Sequence, residues 1–134
     1  MKVETLASYL HENNPSTTAL QQAQHNFVQS CAASCVATYV LGIGDRHSSN
    51  IMLQPDGILF HIDFGHILGN FKKKLGFKRE RAPFVFTPEM AFVIAGKRYK
   101  RSSAYKQFEQ LCCDAFEVLR EAGAELASLY HMVR

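Results

Sequence analysis

The sequence predicts a mostly α-helical domain built around one central β-hairpin. Three observations predict it. Apolar residues recur three and four apart from Leu20 to Val40, and again from Tyr105 to Leu119, the pattern of two long helices that each bury one face. Between them, two short β-rich runs flank Pro55-Asp56-Gly57, a turn signal. The chain has 134 residues, 47% hydrophobic and 20% charged, which suits one cored domain and not a disordered segment.

Taken in order, residues 3–10 read as a short helix that Asn13-Asn14-Pro15 breaks. Ser16 or Thr17 then caps a long helix whose apolar positions are Leu20, Ala23, Phe27, Cys31, Cys35, Val36, Tyr39 and Val40. Ala32, Ala33 and Ala37 let neighbouring elements come close, and Gly42 and Gly44 end the helix. Ile51-Met52-Leu53 and Ile58-Leu59-Phe60-His61-Ile62 are the hairpin strands. Thr87-Pro88-Glu89 starts a helix with a cap, a proline at the first position and an acid in the first turn, and Gly96 stops it. Ser102 or Ser103 opens the next, with Tyr105, Phe108, Leu111, Cys112, Ala115, Phe116 and Leu119 on one face and Gly123 at its close. Residues 125–133 read as helix again.

Composition excludes several classes. No stretch approaches the roughly 18 apolar residues of a membrane span; the most apolar window, residues 31–43, is interrupted by Ser34, Thr38 and Gly42. The first residues lead into polar sequence, so no secretory signal is expected. Cys31, Cys35, Cys112 and Cys113 match neither a zinc ribbon nor a Cys-x-x-Cys redox pair, and are expected to be reduced, buried thiols in a reducing compartment. The net charge of +3 is mild but unevenly spread. Lys72, Lys73, Lys74, Lys78, Arg79 and Arg81, opposed only by Glu80, give residues 72–81 a charge of +5. That run is expected to meet an anionic partner. Lys97, Arg98, Lys100 and Arg101 form a second run, read as a solvated loop.

The chemistry-capable residues cluster in the two loops that flank the hairpin. The first is Gly44-Asp45-Arg46-His47-Ser48-Ser49-Asn50; the second opens at Asp63-Phe64-Gly65-His66. Phosphoryl transfer needs a group to orient or accept the nucleophile's proton, oxygen ligands for Mg²⁺, and cations to spread the charge of the transferring group. Mg²⁺ takes Asp carboxylate and Asn carbonyl oxygens. Asn50 and Asp63 bracket the hairpin, whose closure is expected to bring them to one side of a cleft. In the protein-kinase catalytic loop an Asp precedes the metal-binding Asn by about five positions; Asp45 stands in that relation to Asn50, and an Asp-Phe-Gly triplet follows the hairpin. Each piece alone is weak, but the ordered set is specific.

Ser30-Cys31-Ala32, Cys35 through His47, Asn50-Ile51-Met52 and Leu59 through His66 together resemble phosphoinositide 3-kinases. The resemblance runs over nearly the whole chain and is densest at residues 30–87. The order Asp45-Arg46-His47 is that of lipid kinases, the reverse of the protein-kinase His-Arg-Asp. The resemblance implies the C-terminal lobe of a protein-kinase-like lipid kinase fold, with the catalytic loop at residues 43–50 and the activation loop at 63–83. It implies catalytic roles for Asp45, His47 and His66, with either Asp45 or His47 moving the proton. It implies Asn50 and Asp63 as ligands of Mg²⁺ (or Mn²⁺) and ATP as phosphoryl donor. Lys72, Lys73, Lys74, Lys78, Arg79 and Arg81 would read the phosphates of the inositol ring. Two basic boxes suit a head group already phosphorylated, which points to a class I enzyme acting on phosphatidylinositol 4,5-bisphosphate. Residues 82–87, Met90 and the Cys112-Cys113 pair look more like class II. Arg46, Phe64 and Gly65 are expected to support the site, Arg46 by pairing with a carboxylate; Ile51, Ile62 and Phe64 are expected to pack around the metal pair, and His61 to be structural.

No Gly-rich phosphate loop and no phosphate-pairing strand lysine occur in these residues, so the N-terminal lobe is expected to be absent and the chain alone inactive. The implied partners are a phosphoinositide head group at an anionic membrane surface and, through domains outside this sequence, a regulatory subunit or small GTPase; no nucleic acid is implied. The implied setting is cytoplasmic, peripheral to the inner membrane face. The alternatives are a protein kinase of the same superfamily and a non-catalytic module that binds anionic lipid. Because Asn50 and Asp63 sit at loop edges, their substitution is expected to leave folding little affected.

Overall fold

The computed structural model describes residues 5–68, 73–74, 77–78 and 82–132. Helix α1 (Thr5–Asn13) is followed by α2 (Thr17–Val40), the hairpin β1 (Ile51–Leu53) and β2 (Leu59–His61), a second short antiparallel pair β3 (Lys73–Lys74) and β4 (Phe77–Lys78), then α3 (Pro88–Ala95), α4 (Ser103–Glu121) and α5 (Gly123–Met132). The second pair was not expected from the sequence. Two single 3₁₀ turns, Ser48–Asn50 and Tyr99–Arg101, precede β1 and α4.

Helix α2 is the axis. Ser16 is its N-cap, with Oγ accepting the Ala19 N–H at 3.1 Å. Ala23, Phe27, Cys31, Ala32, Cys35 and Val36 are all buried along it. With Leu10 of α1, Leu59 of β2, Met90, Val93 and Ile94 of α3 and Phe108 of α4, most of these form one core. Among the described residues no helix is long and apolar enough to cross a membrane. Thr87 caps α3 as expected, its Oγ1 accepting from Met90 N, and Gly96 ends that helix at φ 73°. Gly123 differs from expectation. Ala122 caps α4, its N–H donating to Val118, and Gly123 is already the first residue of α5.

The hairpin is fixed to α2 by close approach and by side-chain bonds. Gly57, at φ 91°, sits so near the helix that a Cβ there would lie 1.9 Å from the Ala23 carbonyl oxygen. Asn26 Nδ2 donates to Asp56 O at 2.8 Å, and Asn14 Nδ2 to Pro55 O at 2.7 Å. Leu59 N–H donates to Ser30 Oγ at 2.9 Å. The polar residues that break α1 from α2 and line one side of α2 therefore seat the turn, and through it the site.

Candidate active site

The C-terminal end of α2 delivers the first loop. Leu41 caps the helix, Gly42 turns at φ 55°, and Ile43 and Gly44 are buried. Asp45 follows with φ 58°. Asp63, which opens the second loop, has the same φ of 58°. The left-handed region costs an ordinary residue roughly 1–2 kcal/mol, and such strain concentrates where function over-determines the backbone. Both aspartates singled out from the sequence thus occupy it. Asp is among the few non-glycine residues that tolerate this region, the one sequence signal that bears on it.

Hydrogen bonds close the two loops onto each other. Register Ile51↔His61 places Asn50 opposite Ile62, and Ile62 N–H donates to Asn50 O at 2.9 Å. Gly44 N–H donates to His66 O at 2.8 Å, and Leu68 N–H to Leu41 O at 2.8 Å. The hairpin therefore brings Asn50 beside the Asp63 loop, as the spacing required. Arg46 adds a side-chain clamp: Nε donates to Gly44 O at 2.8 Å, Nη1 to Ile62 O at 2.7 Å, and Nη2 to Asp63 O. These bonds show Arg46 ordering the loop through backbone carbonyls of both segments, in keeping with the supporting role expected of it. Its guanidinium also lies 5.6 Å from the centre of the Phe64 ring.

Asn50 is buried, and its Nδ2 donates to Asp45 O at 2.6 Å. The same nitrogen lies 3.2 Å from His47 Nε2. An amide nitrogen can only donate, so His47 Nε2 is the acceptor in this contact. Both contacts use the nitrogen, so Oδ1 is the Asn50 side-chain atom with the chemistry to ligate a cation. Asp63 Oδ1 accepts from Gly65 N at 3.3 Å and the residue is exposed. An Asn oxygen and an Asp carboxylate fit Mg²⁺, which takes few protein oxygens and completes its shell with water and substrate phosphate. Among the described residues no group of three or more His, Cys, Asp or Glu side chains is placed to hold a metal.

Two expectations change here. Ile62 and Phe64 are 41% and 50% exposed and do not form a core around the metal pair. The strand ends at His61 and the left-handed turn at Asp63 carries the chain outward, so no second layer covers them. Asn50, expected at a loop edge, is 5% exposed and holds the neighbouring loop together.

His61 packs below the site. Its Nδ1 is buried without a hydrogen-bond partner. Burial, and then the charge of Arg46, hold its pKa below the ordinary histidine value. It is thus a neutral ring beside a guanidinium. His66 meets the first loop through its carbonyl, and His47 is exposed at the loop surface. Of the six expected head-group cations, Lys72, Arg79 and Arg81 lie outside the described residues. Lys73, Lys74 and Lys78 are described by backbone, in β3 and β4, with Lys73 opposite Lys78. The second basic run forms the exposed turn before α4, as expected of a solvated loop.

Comparison with known proteins agrees with this geometry. The family described as "Phosphatidylinositol 3- and 4-kinase" matches residues 2–133. Phosphatidylinositol 3-kinase 1 of Dictyostelium discoideum is 50% identical over 98% of this chain and 8% of its own length. Phosphatidylinositol 3-kinase 2 of the same organism is 47% identical over 99% of this chain and 7% of its own. The human phosphatidylinositol 4-phosphate 3-kinase C2 domain-containing subunit beta is 50% identical over 90% of this chain and 7% of its own. The chain thus spans under a tenth of the length of these relatives. With Asp45, Asn50 and Asp63 held in one clamped pair of loops and the family match running over nearly every residue, the chain belongs to the phosphatidylinositol 3- and 4-kinase family.

Proposed function

We propose that this chain provides the catalytic and activation loops of a larger phosphoinositide kinase, one that transfers the γ-phosphoryl group of ATP to the 3-hydroxyl of a phosphoinositide. The observation that carries the reading is the clamp: Arg46 and the Asn50–Ile62 backbone bond hold the loop bearing Asp45, His47 and Asn50 against Asp63. Asn50 and Asp63 would hold Mg²⁺, which when bound neutralises charge on the phosphates. Asp45 and His47 are the groups available to orient the inositol hydroxyl and take its proton, and His66 would meet a phosphate. The protein works at the cytoplasmic face of an anionic membrane, where Lys72, Lys73, Lys74, Lys78, Arg79 and Arg81 draw in the head group.

Phosphatidylinositol 4,5-bisphosphate is the proposed substrate, because two basic boxes supply cations for more than one ring phosphate. Phosphatidylinositol 4-phosphate is the second reading, favoured by the name of the human relative that is 50% identical here. In the longer protein that carries these residues, turnover of phosphatidylinositol and its 4-phosphate and 4,5-bisphosphate is compared in vesicles of matched surface charge. Neutralising Lys72, Lys73 and Lys74 should lower bisphosphate turnover at least about tenfold more than that of phosphatidylinositol, since each lost charged contact is worth about 1.5–3 kcal/mol. An equal fall on all three lipids would reduce these lysines to membrane docking. A selective fall on the monophosphate alone would establish the second reading.

A further inference from the structure

Away from the clamped loops, α2, α4 and residues 84–86 enclose a groove of about 730 Å³. Aromatic rings such as Tyr39, Phe84 and Phe108 line it, and so do three thiols: Cys35 from α2, and Cys112 and Cys113 from α4. All four cysteines of the chain are free thiols. Cys31 lies one helical turn before Cys35, is 1% exposed and does not line the groove. The sequence led us to expect inert, buried thiols. The structure instead leaves Cys112 half-buried and Cys113 exposed, with Cys35 in the same groove wall.

Cys35 also touches the chain that follows the expected activation loop. Its S–H donates to Val85 O at 3.7 Å, a long bond of the kind sulfur makes, and one of the links between α2 and this segment. Phe84 and Phe86, on either side of Val85, line the same groove, with Phe86 stacked on Phe108 at 5.2 Å. A change at Cys35 is therefore felt at the foot of the segment on which the activation loop lands.

We propose that Cys35 and Cys112 form a peroxide-sensitive thiol pair that closes into a disulfide between α2 and α4 and frees Val85 from α2. Helix geometry rules out a link within either helix. A disulfide needs Cβ atoms about 3.5–4.5 Å apart, whereas positions one turn apart on a helix hold theirs at about 5–6 Å. Cys31 and Cys35 cannot close without unwinding the buried middle of α2. Cys112 and Cys113 are consecutive in α4, and their side chains diverge around the helix by about 100°. Cys35 of α2 and Cys112 of α4 share the groove wall and lie near enough for the charge of Cys35 to raise the pKa of Cys112.

The chemistry balances with hydrogen peroxide as oxidant. Cys31 donates its S–H to Cys35, which favours the Cys35 thiolate against the opposing effect of burial. The same donation, then burial, keeps Cys31 protonated. The Cys35 thiolate attacks one peroxide oxygen; the O–O bond breaks, and the departing hydroxide takes up a proton as water. The Cys35 sulfenic acid is then attacked by the Cys112 sulfur as it loses its proton. An S–S bond forms, the S–O bond breaks, and a second water leaves. Two thiols are oxidised and one peroxide is reduced to two waters. The Cys35 S–H is consumed, so Val85 O loses its donor.

The test treats the purified chain with hydrogen peroxide, alkylates the remaining thiols, digests without reductant and identifies linked peptides by mass spectrometry. The expected result is a Cys35–Cys112 link, reversed by dithiothreitol, lost in Cys112→Ser and retained in Cys31→Ala and Cys113→Ser. In Cys112→Ser, Cys35 should instead be trapped as sulfenic acid by dimedone. Hydrogen exchange in the peptide spanning residues 84–87 should rise on oxidation and fall back on reduction. Alkylation of all four thiols after peroxide, a Cys31–Cys35 link, or a link between two chains through Cys113 as the sole product would overturn the proposal. So would an unchanged exchange rate at residues 84–87 in the cross-linked protein.

Discussion

Gly57→Ala should unseat the hairpin on which half the site stands. A Cβ at this position would lie 1.9, 2.6 and 2.9 Å from the carbonyl oxygen, carbonyl carbon and Cα of Ala23. All three are backbone atoms inside α2, so no side chain can swing aside. Reaching ordinary contact near 3.4 Å requires the turn to retreat by roughly 1.5 Å. The bonds that seat the turn do not survive such a movement: Asn26 to Asp56 O at 2.8 Å, Asn14 to Pro55 O at 2.7 Å and Leu59 to Ser30 at 2.9 Å. At about 0.5–1.5 kcal/mol for each bond and about 1–2 kcal/mol for alanine at positive φ, the loss is about 3–6 kcal/mol. For a domain of this size that lowers Tm by at least about 10 °C. Thermal unfolding of the purified chain followed by circular dichroism measures it, and hydrogen exchange should place the loss in β1 and β2. Ala23→Gly should not rescue the variant, since the clash is with backbone. A Tm within about 2 °C of the unchanged chain would mean that the turn does not rest on α2 and that the seating of Asn50 and Asp63 has another origin.

The remaining predictions concern the site and the thiols. In the longer protein, Asp63→Asn should cut turnover by roughly two orders of magnitude with little change in Tm, as loss of preorganised charge stabilisation does. Asn50→Ala should match that loss and also destabilise the fold by about 1–3 kcal/mol, because the buried Asp45 carbonyl contact goes with it; equal melting temperatures for the two variants would refute the distinction. Arg46→Lys keeps the charge but cannot reach the carbonyls of Gly44, Ile62 and Asp63 together, so kcat should fall while the affinity for ATP changes less. The Cys112 thiol, pushed up to about 11 by burial and then by Cys35, favours the fold below the ordinary thiol pKa. As pH rises from 9 toward 11 the unfolded chain ionises first and stability drains away, so Cys112→Ser should flatten the alkaline limb of a Tm-against-pH curve.

The helices and the hairpin were legible because each has a local cause. Ser16, Thr87 and Ser102 are caps whose side chains meet the backbone three residues on. The periodicity of α2 survives in its burial, from Ala23 to Val36. Hairpin closure alone was enough to bring Asn50 beside the Asp63 loop, and the Ile62–Asn50 bond shows why. What escaped the sequence is set by contacts between distant residues. The burial of Asn50 depends on the loop folding back to offer Asp45 O. The carbonyls that accept from Arg46 carry no sequence signature. Gly57 was read as a turn glycine, yet its tightest constraint is a helix more than thirty positions away in the chain. The exposure of Phe64 reflects the left-handed Asp63, which ends the alternation that a continuing strand would have kept.

The way the loops are tied has a consequence for how the site is tuned. Backbone atoms take part in the ties between them: Gly44 N–H to His66 O, Leu68 N–H to Leu41 O, Ile62 N–H to Asn50 O, and Arg46 to the Gly44, Ile62 and Asp63 carbonyls. These ties fix the spacing of the main chains that carry Asp45, His47 and Asp63. The two aspartates hold the costly left-handed conformation because these ties leave no other path between α2, the hairpin and the second loop. Substitution of a functional side chain then removes chemistry with little structural loss, as at Asp63, unless that side chain also serves as a tie, as at Asn50. Arg46 is the reverse case, a residue whose side chain ties the carbonyls of Gly44, Ile62 and Asp63 and whose loss should disable the site through the geometry of Asp63.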